Sequence, residues 1–189
     1  HYSKYICIEA IESSNEELWN LWHTIYSKQI ENYFNIDEIL TLVFRSLEEN
    51  EKWKIFWNHF NIMYIDEELK EKIYCMIHIF NALNGEEFIG TYQKSSILKV
   101  LYHCCEIIIR YRKKLISKFL NLVFDICKTE VKEIIERCME LSIQDGEYDI
   151  VCILITYAKK IIPKPTHLPD EPNEKQCSCI NILKLNGFL

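Results

Sequence analysis

Nine cysteines and six histidines are the residues of this 189-residue chain with the chemistry to hold a metal or attack a substrate. Their spacing limits what they can do. Cys177-Ser178-Cys179 lies in a polar stretch ten residues after His167, and His103-Cys104-Cys105 lies in an apolar one. Structural zinc takes paired thiolates at C-x2-4-C spacing from two places in a chain, and only one C-x-C occurs here. Successive residues on a helix point about 100° apart, so Cys104 and Cys105 cannot easily share an ion. The same geometry separates His103 from Cys104, leaving only a nucleophile–base pair assembled across the fold. No metal and no cofactor is expected.

Other catalytic patterns are missing. Four glycines leave little scope for a phosphate-cradling loop, and neither a P-loop nor G-x-G-x-x-G occurs. The acidic clusters Glu48-Glu49-Glu51, Asp66-Glu67-Glu68 and Glu86-Glu87 sit at expected helix ends or connections, where caps and the helix dipole explain them. No Arg is followed by His at the R-x4-6-H spacing of small helical ribonucleases. The expectation is a protein that is not an enzyme.

Composition narrows the class. Hydrophobic residues make up 49% of the chain, enough for a core and too many for a disordered tail. Seven of the nine cysteines lie inside apolar stretches, where a free thiol behaves as a small hydrophobe. An odd, scattered set of thiols predicts a reducing, intracellular setting, cytoplasmic or nuclear. No apolar run reaches the roughly 18 residues a membrane span needs, so no membrane is expected. The chain starts at His1 and reads as a fragment of a longer protein. Lys and Arg total 22 against 28 Asp and Glu, a net charge of −6 that disfavours nucleic acid. The one basic cluster, Arg110, Arg112, Lys113, Lys114 and Lys118, reads as a solvated helix end, with RNA contact as its functional alternative.

The elements follow from proline and glycine. The first 162 residues hold no proline and three glycines, Gly85, Gly90 and Gly146, a distribution that suits helices and not sheets. Apolar residues at three- and four-residue spacing predict helices over 14–26, 36–47, 53–60, 66–83, 95–109, 115–127, 131–143 and 148–161. Ser14 with Glu17, Asn35 or Asp37, Asp66, Ser95 or Ser96, and Thr129 are the expected start signals; Asn84-Gly85 is a stop. Residues 115–127 are apolar on nearly every side, as in a helix sandwiched between layers. The expected fold is all-α, with eight or nine antiparallel helices forming a body over residues 1–162. The four prolines, Pro163, Pro165, Pro169 and Pro172, mark an extended C-terminal arm over 163–189, whose apolar end either docks back as a strand or short helix or begins the next unit of a longer protein.

One segment carries a family likeness. Gly146-Glu147-Tyr148-Asp149 opens a turn and a helix, Ala158 lies twelve residues after Gly146, and Pro163 seventeen after it. This resembles the second half of a tetratricopeptide repeat, over roughly residues 130–163. The resemblance implies that Gly146 allows a tight turn between two antiparallel helices and Ala158 a close helix approach. Pro163 would end the unit. Val151 stands where the family favours Ala, and Met139 and Ser142 where it favours Gly and Tyr. Upstream segments show no matching Gly and no fixed period. The expected architecture is a degenerate helical-hairpin array, α-solenoid-like and related in shape to tetratricopeptide, HEAT or armadillo arrays.

Function then rests on contact. Trp19 and Trp22 are three apart, and Trp53 and Trp57 four apart, so each pair lines one helical face, either as core or as a binding groove. The leading expectation is a non-enzymatic scaffold or protein–protein interaction module, binding a protein or peptide with Lys or Arg to match the acidic balance. The alternative is a compact regulator resembling the Bcl-2 type, binding an amphipathic helix, although the N-W-G-R signature of that family is missing. RNA binding along residues 110–118 comes third.

Overall fold

The computed structural model describes Glu17, Asn35, Asp37, Glu38, Leu40, Thr41, Val43, Phe44 and residues 67–127, 129–159, 161 and 163–189. Among the described residues the chain is all-helical: six α-helices and one 3-10 turn from Glu67 onward, helical residues before them, and no strand. The helices expected over 14–26 and 53–60 fall almost wholly outside the described residues, which hold six α-helices from Glu67 onward and helical residues within 37–44, where eight or nine helices were expected for the chain. Residues 37, 38, 40, 41, 43 and 44 are helical, and Asn35 is their cap. Its side chain accepts from Glu38 N at 2.8 Å while Glu38 Oε2 accepts from Asn35 N at 3.1 Å, a reciprocal capping box.

The chain forms two compact units, His1–Val100 and Leu101–Leu189. In the first unit, α1 (Glu67–Leu83) begins with two acidic residues that complement its dipole. It ends where Glu86 N bonds to Asn81 O and Gly85 N to Ala82 O, with Gly85 at φ +99°. Its core residues include Ile73, Met76, Ile79, Phe80 and Leu83, and Phe44 meets Phe80 edge to face at 5.4 Å. Then α2 (Lys94–Tyr111) starts, and its course passes the division at Val100. From Val100 to Ile109 this helix is buried except at half-exposed Tyr102 and Glu106.

The second unit continues through a 3-10 turn (Lys113–Leu115) into α3 (Ile116–Ile126), α4 (Val131–Gln144), α5 (Tyr148–Ala158) and α6 (Glu174–Leu185). Four expectations change here. Ser117, Lys118, Asn121 and Asp125 of α3 are exposed while Ile116, Phe119, Leu120 and Val123 are buried, so this helix has one wet face and is not sandwiched. Thr129 does not cap α4, because its hydroxyl bonds the Glu130 carboxylate instead. The α5 helix stops at Ala158, short of the expected 161. The end is a tight turn in which Ile161 N bonds to Ala158 O, and Pro163 beyond it lacks the N–H that continued helix would need. The arm expected to be extended is irregular only to Pro172. Asn173 accepts from Gln176 N and Gln176 Oε1 accepts from Asn173 N, a capping box that starts α6.

Candidate functional site

Among the described residues of the first unit, one cluster of titratable groups joins α1 to the segment after it, beside the separate Glu68–Lys72–Lys99 ion pairs. Glu71, Cys75 and His78 share a face of α1 at four- and three-residue spacing, and the irregular segment after α1 folds back on it. Tyr92 and His78 Nδ1 share a hydrogen bond of 2.5 Å, and Glu71 Oε1 accepts from Gln93 N at the same distance. The His78 ring also lies edge-on to Phe88 and Tyr92. Burial, reinforced by Cys75 and Glu71, pushes the Tyr92 phenol up to about 12, so Tyr92 keeps its proton at neutral pH. The arrangement pins the connection to α1. Cys75 is fully buried, and His78 and Tyr92 direct polar atoms at each other, so the cluster is built as a strap and not as an open reaction centre.

A second feature runs between α2 and α4. Tyr102 donates to Glu133 Oε2 at 3.2 Å, Arg137 donates to Glu106 Oε1 at 2.9 Å, and Arg110 donates to Asp145 Oδ2 at 3.2 Å. Buried between them, the Cys105 and Cys138 sulfurs lie 3.2 Å apart. Residue numbers rise together on both sides, so the two helices run parallel. The paired residues are 31 to 35 apart in sequence. Burial pushes the Tyr102 phenol up to about 12, with the Glu133 bond adding to it.

The third feature holds the C-terminal segment. Glu136 Oε1 accepts from Lys164 N at 2.7 Å; Glu140 Oε1 accepts from Thr166 N at 3.0 Å and His167 N at 3.1 Å. Glu140 is only 6% exposed, so its carboxylate is tolerated because these N–H donors replace water. Pro163 and Pro165 are buried beside it in sequence. At the α4–α5 turn Gly146 takes φ +70°, and a Cβ there would lie 2.8 Å from Lys175 Cβ of α6. Gln176 Nε2 reaches Gln144 O at 2.7 Å. The glycine thus serves the turn and the close approach of α6 together.

The residues expected to bind partners are placed as follows. Trp19, Trp22, Trp53 and Trp57 lie outside the described residues. Of the basic cluster, Arg110 pairs with Asp145, and Lys113 with Glu147 Oε2 at 2.6 Å. Arg112 donates to the Tyr111 carbonyl, while Lys114 and Lys118 are exposed. Two of the five cations therefore already face carboxylates. None of the eight described cysteines is in a disulfide. Cys177 donates toward Pro172 O and Cys179 is buried, and no group of three or more metal ligands occurs among the described residues. No described helix is long and apolar enough to cross a membrane. Sequence reasoning missed the two clamping glutamates and the α2–α4 seam, although the Asn173–Gln176 cap was readable.

No family model matches the chain, and no curated protein or solved structure is significantly similar to it.

Proposed function

We propose that the second unit is a short stack of helical hairpins serving as a non-enzymatic interaction module for a protein partner. The observation that carries this reading is the separation of 31 to 35 residues between paired positions on the parallel helices α2 and α4. That interval is close to the 34-residue period of tetratricopeptide units. It makes α2 and α3 one hairpin, α4 and α5 the next, and α6 the first helix of a third. Packing of α4 on α3, of α5 on α4 and α3, and of α6 on α5 and α4 supports the same order. The rings of Phe124 of α3 and Tyr157 of α5 lie 6.0 Å apart, tilted by 34°, a contact between second helices of the two hairpins. Arrays of this kind leave surface for partners instead of a closed catalytic pocket. The acidic net charge favours a partner peptide carrying Lys or Arg.

A second reading, the Bcl-2-like regulator, draws on one observation. The stretch Val100–Ile109 of α2 is buried nearly all round, which suits the central helix of a bundle.

Affinity capture of the whole chain from a native lysate, with and without nuclease, tests the first reading. A stoichiometric protein partner that survives nuclease and is lost in a Trp19→Ala/Trp22→Ala or Trp53→Ala/Trp57→Ala variant supports it. A partner lost with nuclease favours the RNA reading along residues 110–118. Tight binding of an isolated amphipathic helix by a compact particle in small-angle scattering favours the bundle.

A further inference from the structure

We propose that Cys105 and Cys138 form a modification site, a thiol pair that hydrogen peroxide converts to a reversible disulfide between α2 and α4. The two sulfurs are 3.2 Å apart, closer than two unbonded sulfurs normally rest, and both residues are fully buried. A disulfide needs the sulfurs to close to about 2.05 Å, a movement of roughly an ångström that side-chain torsions can share. The seam around them fixes the register. Tyr102–Glu133 and Glu106–Arg137 tie the same two helices before Cys138 on α4, and Arg110–Asp145 ties them beyond both cysteines. The pair is therefore aligned before any oxidation.

Burial also selects the oxidant. Neither sulfur is open to a bulky disulfide such as oxidised glutathione, whereas hydrogen peroxide is small and neutral. One thiol, as its thiolate, attacks a peroxide oxygen and becomes a sulfenic acid, with hydroxide leaving. The second sulfur then attacks that sulfenic sulfur, the S–S bond forms, and water leaves. Two thiols and one peroxide give one disulfide and two waters. Burial and the neighbouring Cys138 push the Cys105 thiol well above its ordinary value, which keeps the pair reduced and slow to react under mild conditions. Cys104 is also buried but points about 100° away from Cys105 on the same helix, so it is not the partner of Cys138.

Peptide mapping of the intact wild-type chain after peroxide treatment and quenching by iodoacetamide tests this without any variant. The expected product is a cross-linked peptide pair containing Cys105 and Cys138, two mass units below the dithiol, and reversed by dithiothreitol. It should form at least about ten times faster than any link through Cys104 and raise Tm by several degrees, since it closes a loop in the unfolded chain. A Cys104→Ala variant should keep the link, whereas Cys105→Ala and Cys138→Ala should lose it. Links distributed evenly among the cysteines, or the 105–138 link forming as fast in urea, would overturn the proposal. So would both thiols remaining alkylatable once the chain is unfolded after treatment.

Discussion

Glu140 shows how one side chain can decide a local structure. A carboxylate this deeply buried is costly unless donors surround it, and Thr166 and His167 supply their backbone N–H groups. Glu140→Ala should therefore destabilise the protein by about 1–3 kcal/mol, because those donors lose their acceptor. Glu140→Gln keeps one carbonyl oxygen and should cost less; urea unfolding measures both. Tyr92 makes a prediction in alkali. Its phenol is raised to about 12 when folded, against about 10 in the unfolded chain. Below pH 10 both states hold the proton and the contribution is complete. Between pH 10 and 12 the unfolded chain releases a proton that the folded one keeps, so stability falls as pH rises. Tyr92→Phe should show a shallower fall over that window, and an unchanged slope would remove Tyr92 as its source. None of this was legible beforehand, since no spacing in the sequence links Glu140 to residues 164–167 or His78 to Tyr92.

Helix boundaries were legible where a local signal was strong. Asn84-Gly85 stopped α1 as read, and Asn35 with Glu38 formed the cap that was anticipated at Asn35 or Asp37. Thr129 misled because its hydroxyl had a nearer acceptor in Glu130. A strand or short helix was anticipated only for the apolar end, and the start of α6 at Glu174 was missed because proline, Asp and Lys dominate its approach, even though Asn173 and Gln176 have capping-box spacing. Two variants weigh these devices. Asn173→Ala should cost about 1 kcal/mol by removing the cap. Gly146→Ala should cost about 1–2 kcal/mol for the left-handed backbone alone, with the clash at Lys175 added. Hydrogen exchange should locate both losses in α6 and the α4–α5 turn; a loss spread evenly over α2 would contradict the placement.

At the scale of the molecule, composition foretold the all-helical character of the described residues and little else. The parallel pairing of α2 with α4 was invisible because its rungs are chemically unlike: a Tyr–Glu bond, a Glu–Arg pair, two sulfurs and an Arg–Asp pair. The charge argument can be tested at this scale too. With Arg110 and Lys113 already facing carboxylates, RNA retention at about 150 mM salt should be weak, and Lys114→Glu/Lys118→Glu should barely change it. Strong, salt-sensitive retention lost in that variant would return the basic cluster to a functional role. The glutamate clamp has one more consequence. The amide protons of Lys164, Thr166 and His167 point at carboxylate oxygens, which deshield a proton more than peptide carbonyls do. In a proton–nitrogen spectrum those three signals should stand downfield of their neighbours, giving a ready-made gauge of whether the C-terminal helix is seated.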